Sequence, residues 1–215
     1  MTHWLQPGGE SLPLPKKIVL ASGNVGKLRE IERILADLDV KVIAQSELGV
    51  EDADETGATF VENALIKARH AAVATGLPAL ADDSGLVVDA LAGRPGVHSA
   101  RYSGPGATDD SNIDKLLEEL QRVQTGDRAA AFHCCACFVT PDDTSSLIAE
   151  GRWEGTILRQ RRGTDGFGYD PVFLDPELGC SSAELGADEK NARSHRGKAL
   201  QKLAVKLKTL EWKQT

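Results

Sequence analysis

The sequence predicts an α/β protein, and three observations carry that prediction. Ile18 to Ala21 is a short apolar run suited to a buried strand, and Leu28, Ile31, Leu35 and Leu38 follow it at helical spacing. Strand-like runs recur at Val40 to Ala44, Leu86 to Val88 and Ala129 to Val139, with amphipathic stretches between them. A chain of 215 residues with 41% hydrophobic content is long enough to bury a large single core.

Met1 to Pro15 contains three prolines and two glycines and reads as an unstructured extension, so one domain is expected over 16–215. The start of the chain lacks a charged-then-apolar signal pattern, and no run of about 18 apolar residues occurs. The expectation is a cytoplasmic protein with no membrane partner. A net charge of −7 argues against a nucleic-acid partner, which calls for a basic face, but is compatible with a nucleotide substrate.

The first strand and helix are joined by Ser22-Gly23-Asn24-Val25-Gly26-Lys27. A helix start offers unpaired N–H groups and the positive end of its dipole, and glycines let an anion approach the backbone. The segment reads either as a phosphate cradle or as a tight βα turn with a solvated lysine. It lacks the Ser or Thr that follows the lysine of a P-loop, because Leu28 stands there, and Arg29 replaces the third glycine of a dinucleotide loop. Any metal ligands must come from elsewhere.

After the second strand, Glu51-Asp52-Ala53-Asp54-Glu55 is either a solvated acidic loop or part of a divalent-cation site. Thr59 and Glu62 have capping-box spacing at the start of a helix whose small-residue face is Phe60, Ala64, Ala68 and Ala71. Gly76 and Pro78 end it. Asn63 and Lys67, one turn apart, project from the same side. Leu80-Ala81-Asp82-Asp83-Ser84-Gly85 then reads as an apolar run ending in a carboxylate-bearing turn, placed where α/β sheets present their chemistry. With the acidic loop and the Gly23–Lys27 loop it makes a candidate magnesium and phosphate site.

Ile113, Leu116, Leu117 and Leu120 mark a further amphipathic helix. Leu147 to Glu150 and Gly151 to Ile157 read as successive strands after Ala129 to Val139, with Pro141-Asp142-Asp143 as a turn. Gly166-Phe167-Gly168-Tyr169-Asp170-Pro171 brackets two aromatics with glycines; on local grounds the rings plug a core, and the alternative is stacking on a base. In Lys190 to Lys198 an acidic chain concentrates positive charge at a helix start, capped by Ser194 and continued by Leu200, Leu203, Leu207 and Leu210. The dipole disfavours cations there, so the cluster is either a charged surface turn or a site that holds an anion between Lys190 and Arg196.

His133, Cys134, Cys135 and Cys137 invite a metal-site reading, but the spacing opposes it. Adjacent strand residues face opposite ways, and an apolar run suits cysteine as a small hydrophobe. Free thiols in a reducing compartment are expected, Cys180 included.

Taken together, SGNxxK at Ser22 to Lys27, ETGxTFxENAxxKA from Glu55 to Ala68, ADDSGL from Ala81 to Leu86, GxHSARYSG from Gly96 to Gly104, GFGYDPxF from Gly166 to Phe173 and EKNxxSHRGKAL from Glu189 to Leu200 closely resemble the inosine/xanthosine triphosphate pyrophosphatase family. The resemblance runs from Lys17 onward; the N-terminal extension and the cysteine-rich strand lie outside its usual pattern.

The resemblance implies an elongated, two-lobed α/β subunit around a long mixed sheet with flanking helices, with the active-site cleft between the lobes, assembled as a homodimer. It implies magnesium-dependent hydrolysis of ITP, dITP and XTP to the monophosphate and pyrophosphate. By motif, Ser22, Gly23, Asn24, Val25, Gly26 and Lys27 would hold phosphates, and Glu55 with Asp83 would bind the metal. Asp83 would be the base for the attacking water, and Lys67 would neutralise phosphate charge. Ser84 would contact substrate, Phe167, Gly168, Tyr169 and Asp170 would pack on and bond the nucleoside, and Lys190, His195 and Arg196 would read the base. Two other classes stand beside this one: a nucleotide-binding regulator without turnover, which would not need Glu55 and Asp83 clustered, and a structural metal protein built on His133 to Cys137.

Overall fold

The structure, a computed structural model, describes residues 15–38, 40–123, 127–142 and 146–209. The expected N-terminal extension, Asp143 of the expected turn and Leu210 of the last helix lie outside these residues, apart from Pro15. Strands β1 (Lys17–Leu20), β2 (Lys41–Ala44), β3 (Ala79–Val88), β4 (Ala129–Val139), β5 (Ser146–Ile157), β6 (Phe173–Asp175) and β7 (Cys180–Ser181) form a sheet in the order β2-β1-β3-β4-β5-β6-β7. The pairs β1·β2 and β1·β3 are parallel and the rest antiparallel, so the sheet is mixed. Helices α1 (Val25–Leu35), α2 (Phe60–Thr75), α3 (Asp109–Gln121), α4 (Ala187–Arg193) and α5 (His195–Lys208) flank it.

Alternation along the strands builds two cores, one on each face of one half of the sheet. Ile18, Leu20, Leu80, Cys134, Ala136 and Phe138 turn to α1 and α5, which contribute Ile31, Leu35, Leu200, Leu203 and Leu207. Val19, Ala79, Ala81, Cys135, Cys137 and Val139 turn to α2. The buried face of α2 is Ala64, Ala68, Ala71 and Ala72, so this helix lies close to the sheet, and the cysteines fill the narrow space as small hydrophobes. All four cysteines are free, and Cys134 and Cys135 face opposite sides as expected of neighbours in a strand. A third core gathers at the far end of the long strands, where Leu86, Val88, Phe132, Trp153, Ile157 and Phe173 meet α3. The strands β3, β4 and β5 run through both ends, and the polar stretch Asp82 to Ser84 falls where the cores meet.

Two expected breaks are absent. Asp82-Asp83-Ser84-Gly85 is not a turn but the middle of β3, paired throughout with β4. Gly85 is there for space: a Cβ would come within 2.3 Å of the Gly96 carbonyl oxygen and 2.5 Å of Ser99 Oγ. Likewise, residues 147–157 form one strand, and Gly151 lets α5 lie directly on it, since a Cβ would stand 1.9 Å from the His195 carbonyl oxygen. In both cases glycine marks a close backbone approach inside a strand. Lys198, Lys202 and Lys206, one turn apart on α5, donate to the carbonyls of Arg152, Glu150 and Ile148 at 3.0, 2.8 and 2.5 Å, which covers that stretch of β5 with positive charge.

Candidate active site

The loop between β1 and α1 is held by its own side chains. Ser22 Oγ accepts from the Asn24 N–H at 3.2 Å, and Asn24 caps α1 by accepting from the Lys27 N–H at 3.1 Å. Val25 is exposed. Gly26 abuts the aromatic loop, because a Cβ there would be 3.2 Å from the Phe167 ring. Lys27 turns inward and pairs with Asp82 Oδ2 at 3.1 Å.

Strand alternation sends the two aspartates of β3 to opposite faces. On the α2 face, Asp83 Oδ1 accepts from Lys67 Nζ at 3.0 Å and Asp83 Oδ2 from Asn63 Nδ2 at 3.3 Å. The same Lys67 ammonium donates to Glu55 Oε1 at 2.8 Å, and Arg101 donates to Glu55 Oε2 at 3.0 Å. Asn63, fully buried, also accepts from the Gly57 N–H at 2.8 Å and so ties the acidic loop to Asp83. Burial pushes the Asp83 carboxyl above its ordinary value, with Lys67 opposing. Burial acts the same way on Glu55, but Lys67 and Arg101 outweigh it and hold that carboxyl below its ordinary value. Lys67 is itself disfavoured by burial, yet Asp83, Asp82 and Glu55 outweigh that and keep it charged. Two carboxylates therefore converge on one cation position. That oxygen set fits magnesium, a hard ion that takes one or two carboxylates and completes its shell with water and substrate phosphates. Among the described residues no cluster of three or more His, Cys, Asp or Glu side chains is arranged to hold a metal ion, so the structural-metal reading of His133 to Cys137 has no site there.

The basic cluster is not a surface turn. Lys190 and Arg196 are 8% and 3% exposed, and their counterions are the protein's own carboxylates. Lys190 donates to Asp170 at 2.7 Å and to Glu30 at 3.3 Å; Arg196 donates to Asp82 through Nε at 3.2 Å, to Ser84 Oγ through Nη2 at 3.1 Å, and to Glu30 through Nη1. This settles the odd basic start of α5, where Ser194 caps by accepting from the Gly197 N–H. Among the described residues three of the five N–H groups of Arg196 are thus engaged, which leaves two. Both cations face the Phe167 ring, at 4.8 Å for Lys190 and 5.5 Å for Arg196. Burial, then Arg196 and Lys190, push His195 well below its ordinary value, and its ring stacks on Phe132 at 4.7 Å. Asp82, 0% exposed, is disfavoured as a charge by burial but held far below the usual carboxylate range by Lys27 and Arg196.

The two aromatics divide. Phe167 stands between the Gly26 loop and the basic cluster, whereas Tyr169 plugs the core and donates its hydroxyl to the Ser99 carbonyl at 2.9 Å. Asp170 brackets the loop by accepting from the Phe167 N–H at 2.9 Å, from Ser182 and from Lys190. Gly166 and Gly168 have φ of +82° and +59°, which the turn requires. The Gly168 backbone N–H donates to Asp109 Oδ2 at 2.7 Å. Sequence reasoning missed Asp82 as a partner, Glu30 and Arg101. Glu30 lies one turn after Lys27, which is a signal only once the helix face is known; the other two pair with residues remote in sequence.

The Ham1 family model matches residues 18–206. A protein from Methylococcus capsulatus named dITP/XTP pyrophosphatase is 57% identical over 196 residues, covering 91% of this chain and 98% of its own. A protein of the same name from Pectobacterium atrosepticum is 53% identical over 189 residues, covering 87% and 96%. The structure of a HAM1 protein from Coxiella burnetii superposes with a TM-score of 0.84 at 53% identity, over 89% of this chain and 98% of that one. With matches of this extent and a shared fold, the chain belongs to the Ham1 family.

Proposed function

We propose that this protein hydrolyses deaminated purine nucleoside triphosphates, ITP, dITP and XTP, to the monophosphate and pyrophosphate. The relatives' names support the substrate class, and one observation carries the chemistry: Lys67 Nζ lies between Glu55 and Asp83 at 2.8 and 3.0 Å. Glu55 and Asp83 would hold magnesium, which when bound neutralises phosphate charge and orients the triphosphate. Asp83, made more basic by burial, accepts a proton from the attacking water. Lys67 and Lys27 hold negative charge on the triphosphate as it develops, and the N-terminus of α1 adds backbone donors. Phe167 offers a stacking face, and the free N–H groups of Arg196 meet the oxygen at position 6 of the base. Adenine presents an amino group there, so a donor would meet a donor, and a site with unpaired donors discriminates by roughly 10⁴ or more.

The reading extends to a cytoplasmic homodimer that binds neither nucleic acid nor membrane; the net charge of −7 speaks against a nucleic-acid partner, and among the described residues no helix is long and apolar enough to cross a membrane. The test is a panel of ITP, dITP, XTP, GTP and ATP with magnesium, followed by pyrophosphate release. The three deaminated nucleotides should exceed ATP in kcat/KM by at least about a hundredfold, and parity with ATP would remove this reading.

A further inference from the structure

Asp82 is fully buried, and it uses its two oxygens very unequally. Oδ2 accepts from Lys27 Nζ at 3.1 Å, from Arg196 Nε at 3.2 Å, from Ser84 Oγ at 3.4 Å and, weakly, from Cys134 Sγ at 4.0 Å, while Oδ1 has no partner among the described residues. Lys27 belongs to the first turn of α1, beside the loop that offers backbone N–H groups to phosphate; Arg196 belongs to the first turn of α5, beside Phe167. The two cations come from opposite ends of the chain and meet on one atom of the central strand. On the reading of the site given above, one serves the triphosphate and the other the base.

We propose that Asp82 is a positioning residue that couples the triphosphate end of the site to the base end through this shared oxygen. A phosphate that draws Lys27 toward itself weakens one of the four contacts on Oδ2, and the carboxylate then bears more fully on Arg196. The guanidinium has little freedom to respond other than by turning its plane, since Ser84 holds Nη2 and Glu30 holds Nη1. Glu30 rides on α1 as well, so any shift of that helix under the phosphate reaches the same guanidinium by a second contact. Occupation of one end thus sets the direction of the two N–H groups left for the base, and by linkage the correct base holds Lys27 where the phosphates need it. The consequence is that the base and the triphosphate are recognised as one unit.

The test uses inorganic tripolyphosphate without magnesium as a probe that has phosphates but no base, and the wild-type protein. Nitrogen–proton correlation spectra report the backbone amides of Gly23 to Lys27 and the Arg196 Nε–H, the latter assigned by its loss in Arg196→Lys. Both sets should shift with one saturation curve. A shift in the loop with an unmoved Arg196 Nε–H overturns the coupling and leaves the cradle standing; no shift in the loop removes the cradle itself and the inference with it. Steady-state kinetics of Asp82→Asn provide a second readout. The positioning role predicts a KM for ITP raised about tenfold or more, kcat within about threefold, and an ITP-to-ATP preference that falls by about tenfold. An unchanged KM and preference with fewer active molecules would mark Asp82 as structural only. If that variant does not fold, the spectra of the wild type decide.

Discussion

At the scale of the residue, the two aspartates of β3 have separate duties because a strand sends neighbours to opposite faces. Asp83 faces Lys67 and Glu55, and Asp82 faces Lys27 and Arg196. On the proposed reading Asp83→Asn removes a proton acceptor and a charge that would hold magnesium, at constant volume, so turnover of ITP should fall at least about a hundredfold while the thermal unfolding midpoint stays close to wild type. Near-normal kcat at saturating magnesium would contradict the assignment. Arg196→Lys retains the charge and loses the fork that reaches Asp82, Glu30 and Ser84 together. Its kcat/KM for ITP should drop by about two orders of magnitude and that for ATP much less, and an equal loss on both would move base reading to other groups. The sequence displayed the local parts of this chemistry well: Thr59 and Ser194 cap their helices as their spacing indicated. The ion pair of Asp82 with Arg196 spans 114 positions, and no spacing rule reaches that far. The same is true of Arg101 on Glu55.

At the scale of the element, periodicity located α1, α2 and α5, because their apolar faces repeat regularly, but not the short α4 that carries Lys190. Strand continuity was harder to read, since Gly85 and Gly151 look like turn residues when only their neighbours in sequence are known. Both are sites of contact instead, and Gly151 sets how close α5 comes to β5. Gly151→Ala would drive a methyl group into the His195 carbonyl oxygen, so the start of α5 must move. We expect a stability loss of about 2–3 kcal/mol, and a lower kcat for ITP because His195 and Arg196 move with that turn. Chemical denaturation and ITP kinetics on the purified variant check both, and a variant as stable and active as wild type would contradict the packing described. From composition the acidic loop was legible only as a cluster, and it was the motif resemblance that singled out Glu55. Of its four carboxylates, Glu55 alone reaches Lys67, because Asn63 fixes the following Gly57 in place.

At the scale of the whole molecule, a mixed sheet with three cores brings a phosphate-type loop, a carboxylate pair and a buried basic cluster to the middle of its long strands. Burial at that junction has a pH consequence. His195 and His133 both have values depressed below 6.5, burial being the first cause for each. A base depressed in the folded state binds fewer protons than the unfolded chain once the pH falls below 6.5, so stability is unaffected above that value and declines below it. The slope should approach about 1.4 kcal/mol per pH unit for the fully buried His195, with a smaller share from the half-buried His133, and His195→Phe should flatten it by close to one proton. Unfolding free energies between about pH 5 and pH 7 measure this, and a wild-type curve flat over that range would contradict the buried neutral imidazole of His195. The account as a whole rests on the claim that the centre formed by Glu55, Lys67 and Asp83 cleaves a deaminated triphosphate to release pyrophosphate. The most direct measurement is phosphorus NMR of ITP incubated with the purified protein and magnesium, alongside the Asp83→Asn variant and a chelated control. The account predicts inosine monophosphate and pyrophosphate in equal amounts with wild type and almost none in the other two. Release of orthophosphate with inosine diphosphate, or undiminished cleavage by Asp83→Asn, would contradict it.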